Sequence, residues 1–236
     1  MYNDVERKRC APRLRRARNQ ETGREELLLT KEKTKAILEA LSDLYPMARA
    51  ELHFTNPFET LIATILSAQC TDKRVNLVTE TLFQDYPDAE SMGKLTREQL
   101  EEKIRECGLY RMKARHILDA CHALTAQYAG KVPSTREELM KLPGVGQKTA
   151  GVVLMAAFGD DQIPVDTHVF RLANRIGLAK ADTPEKVEIA LRAIIPEGER
   201  AHAHHLLIWH GRRCCAARKP ECGRCPLNDG LCEKNL

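Results

Sequence analysis

The 236-residue chain is poor in aromatic residues, at 5% with a single Trp, and has no apolar run near the length of a membrane span. Without such a run, a membrane-spanning helix is not expected. No apolar leader follows Met1, so the expected setting is the inside of a cell, and in a bacterium the cytoplasm and its nucleoid. No segment of useful length alternates apolar and polar with period two, which argues against sheets. Charge of one sign is also scarce in the body of the chain. Residues 1–35 hold 11 Lys and Arg against 6 Asp and Glu, while the whole chain nets only +4. A nucleic-acid site on the body must therefore be a local patch. Residues 1–27 read as a basic, flexible tail. They contain no Ser and carry Asp4, Glu6 and Glu21, unlike an Arg-rich targeting segment.

The punctuation that is present is helical. Asn56-Pro57-Phe58-Glu59 combines an N-cap, a proline at the first helical position and a capping-box Glu. Thr96 with Gln99, Ser134 with Glu137 and Thr183-Pro184 open further helices, and Gly108 is a candidate helix stop. The chain reads as all-α, with about ten helices joined by short loops.

Leu142-Pro143-Gly144-Val145-Gly146-Gln147-Lys148-Thr149-Ala150 is the most informative stretch. Pro143 stops one helix, Gly144 and Gly146 permit a tight turn, and an apolar run starts the next helix. Backbone N–H groups at such a start can cradle a phosphate without reading sequence. Lys148 stands on the first turn, where the helix dipole and partial burial would lower its pKa, as a nucleophilic amine requires. Read alone, it is equally an ordinary solvated lysine. Eighteen residues on, Asp166 follows Ile163-Pro164-Val165 and precedes another helix. It is either a structural N-cap or an ionised carboxylate with work to do.

Nine cysteines are many for an intracellular chain, and five fall in the last 23 residues. Cys215-x₆-Cys222-x₂-Cys225-x₆-Cys232 can bind zinc or a 4Fe–4S cluster, and the single Cys-x₂-Cys knuckle with wide outer spacings favours the cluster. Cys214 offers a fifth thiol. His204, His205 and His210 lie close by and read as packing and capping residues.

"LPGVGQKTAGVV" followed by "VDTHVFRLANR" resembles the endonuclease III family of helix–hairpin–helix DNA glycosylases. "HHLLIWHGRRCCAARKPECGRCP" is similar to the iron–sulfur segment of that family, although the last gap is one residue longer. The resemblance runs from about Thr30 onward. It implies Lys148 as nucleophile, Asp166 as essential carboxylate, and a 4Fe–4S cluster on Cys215, Cys222, Cys225 and Cys232. "LSAQCTD" resembles a loop that would place Gln69 in the space left by a flipped base, with Cys70 where Ala is usual; Asp72 would line the pocket or cap its helix. Gly108-Leu109-Tyr110 resembles a second wedge, with Leu109 against the opposite strand. Gly144, Val145, Gly146 and Lys148 would grip the DNA backbone.

The implied fold is a two-domain glycosylase: residues 28–49 and 161–236 form the cluster domain, and residues 50–160 form a helical barrel carrying the hairpin. The implied activity is removal of oxidised pyrimidines from double-stranded DNA, followed by lyase cleavage, by a monomer. A monofunctional or mismatch glycosylase of the same superfamily and a non-catalytic iron–sulfur DNA-binding protein are the alternative readings.

Overall fold

The computed structural model describes residues 30–234; the basic tail read from the sequence at 1–27 lies outside them. Every regular element among the described residues is helical. The first helix, α1, occupies residues 30–44. There follow α2 (Pro57–Ser67), α3 (Asp72–Asp85), α4 (Ala89–Gly93), α5 (Arg97–Lys103), α6 (Tyr110–Tyr128), α7 (Arg136–Leu139) and α8 (Gln147–Phe158). Next come α9 (Thr167–Ile176), α10 (Pro184–Ile194), α11 (Arg200–Arg213) and one 3₁₀ turn, Cys222–Arg224. No helix among the described residues is long and apolar enough to cross a membrane.

Local signals set most of the starts. Asn56 accepts from Glu59 N at 2.9 Å, with Pro57 at the first helical position. Glu59 turns back to the N–H and hydroxyl of Thr55 rather than to Asn56, at 2.6 and 2.8 Å. Thr96 and Gln99 form a reciprocal box, and Thr183 caps α10. Two readings shift. The cap of α7 is Thr135, which accepts from Glu138 N, not Ser134. Helix α5 ends at Lys103, so Gly108 does not stop it; Gly108 instead lies where a side chain would meet Gln69 O at 3.0 Å.

The buried apolar side chains form two clusters. One is built from α2 through α8 and includes Leu61, Ile62, Leu66, Ile117, Leu124 and Val153. The other joins Ile37 and Leu41 of α1 to Val169, Leu172, Leu191, Leu207 and Leu227. Helix α2 packs on α8, α4 on α6, and α9 on α11. Burial of this kind stabilises by about 25 cal/mol per Å² of apolar surface. The chain passes between the clusters through the segment from Phe158 to Asp166, ahead of α9.

Candidate active site and cysteine centre

The hairpin lies between α7 and α8. Gly144 has φ +80°, and a Cβ there would sit 2.8 Å from His116 Cβ, so both backbone and neighbour require glycine. Gly146 differs from the sequence reading. Its backbone is extended (φ −96°, ψ −177°), so no left-handed turn calls for glycine. It is the N-cap of α8, makes no side-chain cap bond, and faces open space. That leaves room for a bulky anion at the first-turn N–H groups of α8. Val145 is buried and closes the turn through a bond from its N–H to Leu142 O at 3.1 Å.

Lys148 stands on the first turn of α8 and is exposed, so the partial burial expected from sequence is absent. Asp166 caps α9: its Oδ1 accepts from His168 N at 2.9 Å and Val169 N at 2.8 Å. Lys148 and Asp166 line one cavity of about 100 Å³. The cavity also takes Thr64, Ser67 and Asp72 from one side, and His204, His205, Trp209 and Arg212 from α11.

Sequence reasoning missed most of the α11 wall. Arg212 Nη1 bonds Asp72 at 2.8 Å and Glu51 at 2.5 Å, spanning the two clusters. Asp72 therefore does not cap α3, since that cap is Thr71; it belongs to the cavity wall. His204 is buried against His205, near Asp166 and Lys148, and its Nδ1 finds no partner. Burial and the neighbouring His205 push its pKa down to about 3, so it is neutral at physiological pH. A polar residue every few positions along α11 was the only signal available.

Gln69 and Leu109 sit on adjoining loops, and both have left-handed backbones, φ 52° and φ 59°. Such residues without glycine cost about 1–2 kcal/mol each and gather at functional sites. Both are exposed.

The cysteine centre follows α11. Cys215, Cys222, Cys225 and Cys232 line one small cavity of about 30 Å³ with Cys214 and His210. Three of the four sulfurs meet donors. Arg175 Nη1 lies 3.7 Å from Cys215 Sγ, and Lys234 N lies 3.3 Å from Cys232 Sγ. His210 Nε2 lies 3.4 Å from Cys225 Sγ. Tyr45 OH lies 3.2 Å from His210 Nδ1, and burial raises the Tyr45 pKa to about 12, so the phenol keeps its proton. With the phenol donating to Nδ1, the neutral imidazole carries its own proton on Nε2, which faces the sulfur. Four cysteines lining one cavity, three of them met by donors, suit thiolates bound to a metal. His210, Cys214 and Cys225 also lie close enough to share one ion. Cys214 itself is buried, with its Sγ 3.7 Å from Glu221 O.

Helix α9 fixes this loop. Arg171 donates to Cys215 O at 3.0 Å and Gly211 O at 2.9 Å, and Arg175 donates to Ala216 O at 2.7 Å and Ala217 O at 3.0 Å. Arg218 and Lys219 stand exposed between the first two cysteines, Lys219 with φ 54°.

The family model described as HhH-GPD superfamily base excision DNA repair protein matches residues 62–197. Endonuclease III of Synechocystis sp. is 48% identical over 198 residues, covering 84% of this chain and 90% of that protein. Endonuclease III of Escherichia coli K12 is 44% identical over 205 residues, covering 87% and 97%. A trapped endonuclease III–DNA covalent intermediate superposes with a TM-score of 0.83 at 46% identity, over 86% of this chain and 96% of the other. A thermostable thymine-DNA glycosylase gives 0.77 at 26% identity, over 87% and 97%.

Proposed function

Because the chain belongs to the endonuclease III family of HhH-GPD base excision repair proteins, we propose that it is a bifunctional glycosylase and lyase acting on oxidised pyrimidines in double-stranded DNA, with Lys148 as nucleophile and Asp166 as its carboxylate partner. One observation carries this assignment to residues. Lys148 and Asp166 belong to helices of different apolar clusters, yet they line the same cavity. We take those clusters as the two domains, residues 50–160 against 28–49 with 161–236.

A base inside a duplex is out of reach, so the damaged nucleotide rotates into the cavity. The α8 N-terminus and the hairpin around Gly144, Val145 and Gly146 hold phosphate. Gln69 fills the vacated stack, and Leu109 wedges the opposite strand. Lys148 must be neutral to attack. Asp166 accepts its proton through the cavity and stabilises the positive charge that develops on the sugar. The amine nitrogen bonds to C1′, the glycosidic bond from C1′ to the base nitrogen breaks, and the base leaves with a proton. The sugar ring opens to an imine on Lys148. Loss of a C2′ proton then expels the 3′ phosphate by β-elimination. The two backbone N–H bonds to Oδ1 keep Asp166 aimed throughout.

Cys215, Cys222, Cys225 and Cys232 would hold a 4Fe–4S cluster, which supplies a rigid cross-link of the loop rather than a reaction step. The loop presents Arg218 and Lys219 to phosphates. The protein works on DNA as a monomer in this reading, one site per chain, in the bacterial cytoplasm that its relatives' organisms imply.

Borohydride reduction during reaction with a thymine-glycol duplex tests the assignment. The wild type should give a covalent protein–DNA adduct and Lys148→Gln none. An adduct that persists in Lys148→Gln would move the nucleophile elsewhere. No adduct from a folded, DNA-binding wild type would reduce the protein to a monofunctional glycosylase or a binding module.

A further inference from the structure

Two thiols meet where the Gln69 and Leu109 loops touch. Cys70 follows Gln69 and is partly exposed, while Cys107 precedes Gly108 and is fully buried. The two loops are in close contact, since a Cβ on Gly108 would stand 3.0 Å from Gln69 O. The Cys107 and Cys70 thiols lie near enough to act on each other electrostatically, and both are free. Lys113, buried at 2% exposure, anchors its Nζ on Leu66 O at 2.7 Å and bears on both sulfurs. Arg74 adds a second positive charge near Cys107. Burial outweighs both cations at Cys107 and raises its pKa, so that thiol keeps its proton, and the partly exposed Cys70 is the sulfur an oxidant reaches first. Neither cysteine is part of the cluster or of the base-removal chemistry. One buried cysteine would be plain packing. A pair from separate segments, joined at two strained loops and open to solvent at one end, is a different object.

We propose that Cys70 and Cys107 form a reversible oxidation site, in which peroxide converts them to a disulfide that ties the Gln69 loop to the Leu109 loop. The Cys70 thiolate attacks one peroxide oxygen; the O–O bond breaks, and the departing hydroxide takes a proton to become water. Cys70 is then a sulfenic acid. The Cys107 sulfur attacks the Cys70 sulfur, the S–O bond breaks, and that oxygen leaves as a second water with the Cys107 proton. Two thiols lose two electrons, and one hydrogen peroxide becomes two waters. A dithiol reductant reverses the bond. Intracellular disulfides are mostly transient and redox-sensing, which suits a pair with one exposed member. The consequence for activity rests on the reading that both loops enter DNA: a cross-link stops them adjusting separately to a stacked duplex, and turnover falls.

The test uses the full chain with its metal centre intact. Hydrogen peroxide is added at doses that leave the visible absorbance of that centre unchanged, free thiols are alkylated, and the protein is digested with trypsin without reductant. We expect peptide 50–73 linked to peptide 106–111, two hydrogens lighter than their sum, and lost on dithiothreitol treatment. Thymine-glycol turnover should fall in parallel and return with dithiothreitol. Cys70→Ala and Cys107→Ala should each give no linked peptide and keep their turnover through the same dose. No linked peptide in the wild type overturns the oxidation site. A linked peptide with unchanged turnover supports the site and refutes the loops as separately moving inserts. Loss of turnover in the variants as well assigns the effect of peroxide to another group and refutes the regulatory role.

Discussion

Arg175 reaches from the helix that Asp166 caps to the first thiol of the cysteine loop, its Nη1 3.7 Å from Cys215 Sγ and 2.7 Å from Ala216 O. The Asp166 carboxylate and the cysteine centre are thus served from opposite ends of one short helix, α9. Arg175→Gln keeps the stem but loses the fork that binds three acceptors. Bonds from a charged donor are worth about 1.5–3 kcal/mol each at most. The variant should melt lower and lose its visible absorbance faster under a chelator. Unchanged bleaching would mean that Arg171 and the cysteines hold the loop without Arg175.

Asp166→Asn separates capping from chemistry. Asn caps a helix about as well as Asp, so the melting temperature should shift by only a few degrees. Base release in single-turnover assays should drop by about 10² or more, the usual scale for a lost proton acceptor. A large fall in melting temperature with modest loss of rate would make Asp166 a structural cap.

The two hairpin glycines should fail differently. Gly144→Ala adds a Cβ 2.8 Å from His116 at φ +80°, so it should cost about 1–2 kcal/mol of stability. Gly146→Ala meets nothing within 4 Å on an extended backbone and should fold normally. Its deficit should appear in affinity for undamaged and damaged duplex alike. Melting curves and binding isotherms on the two variants distinguish these outcomes.

Leu109→Gly relieves a left-handed backbone at φ 59° and removes an exposed side chain. Stability should change little, since strain relief offsets the entropy that glycine adds to the unfolded chain. Lesion processing should fall. A variant that unfolds easily would show Leu109 to be a packing residue.

His204 makes stability depend on pH. Its folded pKa, about 3, lies below the unfolded value near 6.5, so the unfolded chain binds the extra proton between them. The contribution is whole above about pH 6.5 and is lost as pH falls toward 3. Facing groups pull both ways: His205 and Lys148 lower the value and Asp166 raises it, while burial dominates. Denaturant midpoints should fall below pH 6.5, and His204→Leu should flatten that slope. An equal slope in the variant would place the titration elsewhere.

Much of this molecule was legible because its signals are local. Asn56-Pro57, the Thr96–Gln99 box and Thr183-Pro184 each act within four residues, and their helices start there. Gly144 was legible for the same reason. Gly146 was misread because a glycine kept for open space looks, in one dimension, like a glycine kept for φ. The cavity wall was hidden for a different cause. Arg212 meets Asp72 across 140 positions of chain, and no periodicity encodes that meeting. Lys113 was equally hidden, because a lysine on an amphipathic helix gives no sign that it will be buried on a carbonyl. The exposure of Lys148 was likewise not readable from its place on the helix.

Lys148 rides on the helix bundle built around Leu61 and Leu124, and Asp166 on the one built around Leu172 and Leu207. Neither bundle can set the gap between amine and carboxylate by itself. Any relative shift of the two bundles therefore changes the gap between the Lys148 amine and the Asp166 carboxylate, so a clamp such as Arg212 on Asp72 also sets that gap.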